Sequence, residues 1–311
     1  MTAVFGGPAA RHESQEKQTA IDRGNAMGLD IIVMVKQVPD THNVSGEAMK
    51  SDGTVNRGAL PAIFNPEDLN ALEEALKAKE IVGGKVTAVT MGPPSAVEVL
   101  RECLYRGADD VILLSDRRFA GADTLATSYV LACAVKAIGR FDLIFCGRRA
   151  IDGDTAQVGP QIAEKLGINQ ITCAAEIVNV TPEWITVKRA VENGYEIVKS
   201  GLPVLVTVTS EANDPRPPSA RRVMAYKNIG SQSYGEAHME PETHILLDHI
   251  KQWNVDSIGA EPERCGLSGS PTKVTKVRNV VLTAGDSRQV PSTDEGIAGL
   301  IQELIEENII G

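Results

Sequence analysis

Short apolar runs alternate with longer amphipathic stretches along the first half of the chain. Leu29–Val35 is an apolar run interrupted only by Asp30, whereas the segment from Asn65 to Gly83 repeats its apolar residues at helical spacing. The first pattern indicates a buried strand and the second an amphipathic helix. We predict strands at Leu29–Val35, Lys85–Met91, Asp110–Leu114 and Asp142–Cys146, and helices at 65–82, 95–106, 123–138 and 161–166. This order predicts an α/β fold with a doubly wound, mostly parallel sheet.

The second half of the chain has a different pattern. Beyond about residue 170, three segments alternate apolar and polar residues, and Glu192-Asn193-Gly194-Tyr195 supplies a hairpin turn. The strands are predicted at Ala174–Val180, Trp184–Ala190 and Val204–Thr209. Residues 226–290 are mostly irregular, with a weak strand pattern at Val274–Val277, and Thr293–Ile309 has the spacing of an amphipathic helix. A long irregular segment usually packs on something else, which we expect to be a partner subunit.

These patterns divide the chain into three parts. Residues 1–28 are polar, rich in Gly and Ala and without period, which predicts a disordered or non-native N-terminal extension. Residues 29–225 are predicted to form the α/β domain, and residues 226–311 an irregular C-terminal extension that wraps a partner subunit.

Composition and charge limit the classes of partner. The net charge is -10 and the pI is about 5.1, which argues against a nucleic-acid partner. No apolar stretch is long enough to span a bilayer. The five cysteines are scattered without a CxxC pair, so neither a zinc nor an iron–sulfur site is predicted. Their odd number in apolar surroundings fits a reducing cytoplasm.

Three loops follow strand ends that are expected to lie at one edge of the sheet. They are Val35–Thr41, Met91-Gly92-Pro93 and Gly147–Thr155. Ligands of doubly wound sheets bind beyond the carboxyl ends of the strands, at the point where the strand order reverses. The sequence therefore predicts that the three loops form one binding site.

The Gly-rich turn Gly147–Pro160 is the strongest single signal for that site. It lies between a buried strand and a helix, where free backbone N–H groups and the helix N-terminus favour a phosphate. It is neither a Walker loop nor a GxGxxG turn. Two interpretations of its acids remain open. Asp154 caps the helix in a capping-box spacing with Gln157, or Asp152 binds a ribose or base while Thr155, Arg148 or Arg149 contributes to a phosphate site.

The segment NDPRPPSARR (213–222) contains three prolines and three arginines. It is either a rigid connector or a docking strip, because prolines reduce the entropy lost on binding and arginines favour interfaces. Val223-Met224-Ala225-Tyr226 would add apolar contact to such a strip.

From about Leu29 to the C-terminus the chain resembles the beta subunit of electron transfer flavoprotein. The resemblance is carried by VKQVPDT (35–41), FNPEDLNALEEALKAKE (64–80), VTAVTMGPP (86–94), GADDVILLSD (107–116), AIDGDTAQVGPQIAEKLG (150–167) and VKRAVENGYEIVKSGLPVLVTV with NDPRPPSARRVMA (187–225). Many co-linear motifs make this match specific, and residues 1–28 lie outside it.

The resemblance implies an obligate heterodimer with an alpha subunit that holds one FAD. The beta site holds AMP in the respiratory form, which serves acyl-CoA dehydrogenases, and a second FAD in the bifurcating form. Pro39-Asp40-Thr41 and DGDTAQVGP resemble the bifurcating form, so FAD is expected and AMP is the alternative. There NADH delivers a hydride to the beta-bound FAD. One electron then passes to the alpha-bound FAD and an acyl-CoA dehydrogenase, and the other to ferredoxin or flavodoxin.

The resemblance also implies which residues contact the nucleotide, and the strand-end loops add Lys36, Pro39–Thr41 and Gly92. The expected cofactor-binding residues are Met34, Lys36, Pro39, Asp40, Thr41, Asn65, Pro66, Glu67, Asp68, Met91, Gly92, Gly147, Arg148, Arg149, Ala150, Ile151, Asp152, Gly153, Asp154, Thr155, Ala156, Gln157 and Val158. No catalytic acid, base or nucleophile is expected, because the flavin performs the redox step. Respiratory members dock onto dehydrogenases through the region that matches residues 213–226, and we expect the C-terminal helix to contact the alpha subunit.

Two other classes of function fit part of the pattern. A nucleotide-binding module without electron transfer, such as an AMP-bound structural subunit, differs from a bifurcating electron transfer flavoprotein in the number of flavins per heterodimer. An enzyme of the adenine-nucleotide alpha-hydrolase or ligase kind shares this sheet architecture. It needs a pyrophosphate loop after the first strand, however, and VKQVPDT is not one.

Overall fold

The computed structural model describes residues 28–40, 61–229, 250–272 and 289–306. The chain divides into two compact units, one of residues 1–44 and 60–275 and the other of residues 45–59 and 276–311. The first unit contains every strand of the described residues, and in the second the described residues 289–306 include one helix.

A nine-stranded sheet forms the centre of the first unit. The strands are β1 (Leu29–Met34), β4 (Gly84–Met91), β5 (Asp110–Leu114), β6 (Leu143–Gly147), β7 (Asn169–Val180), β8 (Trp184–Val191), β9 (Gly194–Gly201), β10 (Val204–Val208) and β11 (Ile250–Trp253). Their order is β11-β5-β4-β1-β6-β10-β7-β8-β9, and all neighbours from β11 to β7 are parallel. Two short antiparallel strands, β2 (Gln37–Pro39) and β3 (Ala62–Phe64), form a separate pair.

The strand order reverses between β1 and β6. The chain passes from β1 outward to β4 and β5, then returns to β6 on the opposite side of β1. Met34 at the end of β1 therefore lies between Val89 of β4 and Cys146 of β6 in the register. This arrangement confirms the prediction of a doubly wound, mostly parallel sheet.

Helices cover the parallel strands because those strands are apolar on both faces. In the described part of the first unit the α-helices are α1 (Pro66–Val82), α2 (Val97–Arg106), α3 (Thr124–Ile138), α4 (Val158–Leu166) and α5 (Ala220–Tyr226). One apolar cluster contains Ile31, Val33 and Phe145 with α1 and α2, and the other contains Ile32 and Ile144 with α3 and α4. Successive residues of one strand thus pack against helices on opposite faces of the sheet.

The structure differs from the sequence prediction beyond residue 226. We expected residues 226–290 to be mostly irregular, but β11 pairs in parallel with β5 and extends the main sheet. Residues 250–272 are part of the first compact unit. The weak strand pattern at Val274–Val277 and the extension at 1–28, apart from Gly28, lie outside the described residues. The division of the chain at residue 225 stays a prediction.

The second unit contains the predicted C-terminal helix, α6 (Asp294–Glu306). Its side chains Ile297, Leu300, Ile301 and Ile305 are exposed. Among the helices that the structure describes, none is both long and apolar enough to cross a membrane.

Candidate functional site

A cavity of about 970 Å³ lies beyond the carboxyl ends of the central strands. Its wall is formed by the loops that follow β1, β4, β5 and β6, together with residues of α3 and α4. The three loops that the sequence predicted to converge therefore share one cavity, as far as the structure describes them. Met34, Val89, Leu131 and Ile162 make part of the wall apolar.

Two polar residues just before and within α1 hold the Gly-rich turn from behind. The fully buried Asn65 donates from Nδ2 to the Arg149 carbonyl (2.9 Å) and accepts from the Ile151 N–H (3.1 Å). Glu67 accepts from the Arg149 N–H (2.9 Å) and from the Arg148 guanidinium (3.0 Å). Asn65 occupies the cap position of α1, but its side chain makes no cap hydrogen bond and bridges to this turn instead.

Asp68 joins the ends of β1 and β6 at the wall of the cavity. Its Oδ1 accepts from the Gly147 N–H (2.9 Å), and the carboxyl also accepts hydrogen bonds from the Lys36 backbone and the Asn65 side chain. Burial raises the pKa of Asp68 to about 7, although these hydrogen bonds oppose the shift. Gly147 must be glycine here, since a Cβ would lie 2.4 Å from Asp68 Oδ1.

The turn after β6 adopts an unusual backbone. Asp154 and Ala156 have φ angles of 53° and 52°, in the left-handed region. Within the described residues, no backbone carbonyl accepts a hydrogen bond from the N–H groups of Thr155, Ala156 or Val158. All three residues line the cavity, next to the start of α4. Such N–H groups at a helix N-terminus suit a phosphate.

The capping interpretation of Asp154 is wrong. The cap position of α4 is Gln157, and the Asp154 carboxylate pairs with the Arg149 guanidinium. Asp154 has a left-handed backbone and lines the cavity. Gln157 accepts instead from the Thr124 hydroxyl (3.0 Å), which ties α4 to α3.

Lys36 and Asp152 form an ion pair beside the cavity. The Lys36 Nζ lies 2.7 Å from Asp152 Oδ1, and it joins the loop after β1 to the loop after β6. The idea that Asp152 binds a ribose or base stays a prediction, but in this structure its carboxylate is engaged by Lys36.

The predicted site residues fall into three groups. Those that line the cavity are Met34, Lys36, Asp68, Met91, Gly92, Gly147, Arg148, Arg149, Ala150, Gly153, Asp154, Thr155, Ala156, Gln157 and Val158. Those outside the wall are Pro39, Asp40, Asn65, Pro66, Glu67, Ile151 and Asp152. Thr41 lies outside the described residues. Asn65, Glu67 and Asp152 support the lining loops from behind, as their hydrogen bonds show.

Sequence reasoning missed one wall of the cavity. The loop after β5 contributes Ser115–Arg117 and Phe119–Thr124, none of which was predicted. Two signals could have found it. The loop follows a parallel strand, as the other three do, and Gly121-Ala122-Asp123-Thr124 resembles Gly153-Asp154-Thr155 in composition.

One thiol lies in the wall. Cys146 ends the buried part of β6 and is 6% exposed. Burial raises the pKa of this thiol far above its usual range, so it is protonated at neutral pH and is not a nucleophile. The wall therefore offers binding contacts, backbone donors and apolar surface.

The segment predicted as a connector or docking strip packs on α1 and α2. Arg216 Nε lies 2.8 Å from the Glu73 carboxylate, and the Arg222 guanidinium donates to the Leu104 carbonyl (3.1 Å). Two of the three arginines are thus engaged within the first unit. Met224, by contrast, is 67% exposed.

Comparison with known proteins identifies the family. Residues 52–229 match the electron transfer flavoprotein domain family. The beta subunit of electron transfer flavoprotein from Clostridium acetobutylicum is 42% identical over 282 residues, which cover 91% of this chain and 100% of that protein. Subunit CarD of the caffeyl-CoA reductase-Etf complex from Acetobacterium woodii is 43% identical over 282 residues, covering 90% and 99%. Protein FixA of Rhizobium meliloti is 38% identical over 284 residues, covering 89% and 90%. The chain therefore belongs to the beta subunit family of electron transfer flavoproteins.

Proposed function

We propose that this chain is the beta subunit of a heterodimeric electron transfer flavoprotein and that its cavity holds FAD. The cavity carries the proposal. Its volume of about 970 Å³ lies at the upper end of the range for small-molecule pockets, about 300–1,000 Å³, so it has room for a dinucleotide. Its position at the strand switch point is where doubly wound sheets bind nucleotides.

The residues of the wall suit such a group. The N–H groups of Thr155, Ala156 and Val158 would hold phosphate oxygens. Met34 and Leu131 would cover an aromatic ring and exclude water from it. The Lys36–Asp152 pair would keep the loops after β1 and β6 together.

A bound FAD supplies the exchange between two-electron and one-electron transfer that would connect NADH with ferredoxin or flavodoxin and with an acyl-CoA dehydrogenase. The name of the relative from Acetobacterium woodii, a subunit of a caffeyl-CoA reductase-Etf complex, supports a partner that acts on an acyl-CoA. We propose an alpha subunit as obligate partner, contacted by the exposed apolar side chains of α6, and a cytoplasmic location.

The test is the nucleotide content of the heterodimer, purified after co-expression with its alpha subunit and counted per dimer after denaturation. Two FAD and no AMP would support a redox flavin on this subunit. One FAD and one AMP would refute bifurcation, and this subunit would then be the respiratory type, with AMP as a structural nucleotide.

A pair of variants assigns the nucleotide to this cavity. Ala150 lines the cavity and the neighbouring Ile151 does not. Ala150→Trp is expected to remove one nucleotide per dimer, whereas Ile151→Trp retains both. Retention of both nucleotides by Ala150→Trp would place the nucleotide elsewhere.

A further inference from the structure

The loop Ser115–Thr124 forms one wall of the cavity and is held from its outer side by a distant part of the chain. Residues 253–272, which we call the clamp, contact this loop along most of its length. None of residues 250–272, all of which the structure describes, lines the cavity. The clamp can therefore affect a bound molecule only indirectly, through residues that do line the cavity.

The first contacts of the clamp lie at the end of β5. The Ser115 N–H donates to the Trp253 carbonyl (2.9 Å), and the Val255 N–H donates to Asp116 Oδ2 (3.2 Å). Arg118 pairs with Asp116 (2.7 Å) and with Asp256 of the clamp (2.8 Å). The hydrogen bonds from Arg118 hold the pKa of Asp116 well below its usual range, so the pair is charged at neutral pH.

The middle of the clamp lies directly on the loop backbone. The Leu267 N–H donates to the Ala120 carbonyl (3.0 Å). Gly266 has a φ of +51°, and a Cβ there would lie 2.2 Å from the Arg118 carbonyl oxygen. Only glycine permits this approach, and the close contact leaves the loop little room to move outward.

The last contacts converge on Asp123, at the N-terminus of α3. The buried Ser270 hydroxyl accepts from the Asp123 N–H (2.8 Å) and donates to the Gly266 carbonyl (2.6 Å). The Thr272 N–H donates to Asp123 Oδ2 (3.1 Å), while Asp123 Oδ1 accepts from the Leu125 N–H (2.9 Å). One carboxylate thus joins the clamp to the helix that borders the cavity.

We propose that the clamp is a positioning element of the nucleotide site, with Ser270 as its central positioning residue. The affinity for nucleotide then depends on clamp residues that do not contact the nucleotide. Because coupling between two sites is reciprocal, nucleotide binding in turn stabilises the clamp. This inference rests on the proposed function, since it takes the cavity to hold an adenine nucleotide.

Hydrogen–deuterium exchange of the wild-type protein tests whether nucleotide binding stabilises the clamp. The heterodimer is depleted of nucleotide and compared with and without saturating AMP, whose adenylate group both candidate cofactors contain. We expect AMP to slow exchange in peptides from 253–272 as well as in the lining loops. Protection confined to the lining loops would overturn the proposal, and this measurement needs no variant.

Three substitutions test whether the clamp affects the affinity for nucleotide. Ser270→Ala removes the hydroxyl, and Ser270→Thr retains it. Ser268→Ala is the matched control, because Ser268 is an exposed serine of the same segment. We expect Ser270→Ala to raise the dissociation constant for AMP about five- to tenfold, the lower part of the usual range for coupled sites. It should also abolish AMP protection of the clamp, while the other two variants stay within about twofold of wild type.

The outcomes separate the two proposals. If the wild type binds no AMP and carries neither FAD nor AMP in this subunit, the proposed function fails. If the wild type binds nucleotide while Ser270→Ala binds AMP as tightly as wild type, only the clamp is refuted.

Discussion

Replacing Asp68 by asparagine should change how the stability of the protein depends on pH. The wild-type carboxyl is buried between the ends of β1 and β6, and burial raises its pKa to about 7 from the ordinary value of 3.8. Because the folded-state pKa is the higher one, the folded protein binds more protons than the unfolded chain between these values. The wild type therefore loses stability as the pH rises through this window. An asparagine has no such titration.

The size of the effect follows from the two pKa values. Full ionisation in the folded state costs about 4 kcal/mol relative to the protonated state, at about 1.4 kcal/mol for each unit of pKa difference. Between pH 5 and pH 8 this amounts to about 2.5 kcal/mol. Asparagine also loses acceptor capacity towards the three donors around Asp68, which we expect to shift the stability of the variant by an amount that does not depend on pH.

Urea unfolding of both proteins at pH 5, 6, 7 and 8 measures the effect. Other titrating groups cancel in the difference between the two free energies of unfolding. We expect this difference to move in favour of Asp68→Asn by about 2.5 kcal/mol from pH 5 to pH 8. An infrared band of a protonated carboxyl, present at pH 6 and absent from the variant, would support the assignment. A difference that is flat, or that moves the opposite way, would refute the reasoning.

Three other substitutions have expected outcomes. Gly147→Ala places a Cβ 2.4 Å from a carboxylate oxygen, so it should lower the free energy of unfolding by about 1–3 kcal/mol and reduce nucleotide content. Gly201→Ala should do neither, because Gly201 lies outside the cavity wall and its Cβ would be 3.9 Å from the nearest atom; equal effects of the two variants would contradict the geometry. Arg216→Leu leaves the buried Glu73 carboxylate without its arginine partner and should lower the free energy of unfolding, measured in urea, by about 3 kcal/mol. A loss below about 1 kcal/mol would show that solvent compensates for the missing guanidinium. Ile301→Glu on the exposed face of α6 should reduce co-purification of the alpha subunit without changing the stability of this chain, and an intact heterodimer would refute that interface.

The strands and helices that build the cavity follow from local sequence. Leu29–Val35 and Asp110–Leu114 are apolar on both faces, and this predicts buried parallel strands without reference to any other part of the chain. The alternation of strands and helices then fixes which loops share an edge of the sheet. That is why Met91 and Gly147 could be placed together before the structure was known.

The polar details could not be predicted, because they depend on residues far apart in the chain. Asn65 precedes a helix and has the usual chemistry of a cap, yet its partners lie 84 and 86 residues away. Local propensity describes the segment alone, and tertiary hydrogen bonds outweigh it here.

The outer edge of the sheet was missed for a related reason. Ile250–Trp253 is a short segment with polar residues at Lys251 and Gln252, and an edge strand needs little apolar character. Its partner β5 supplies the register, which no local pattern shows. The loop Ser115–Thr124 was overlooked together with the segment that holds it.

The buried thiol of Cys146 can report when the cavity wall opens. Its thiol is buried in the wall and protonated, so an alkylating reagent can modify it only after the surrounding loops open. The rate of modification then depends on how often the thiol becomes accessible as well as on its intrinsic reactivity. A molecule that fills the cavity should slow this labelling in proportion to its occupancy, which makes one native cysteine a reporter of loading in the intact complex.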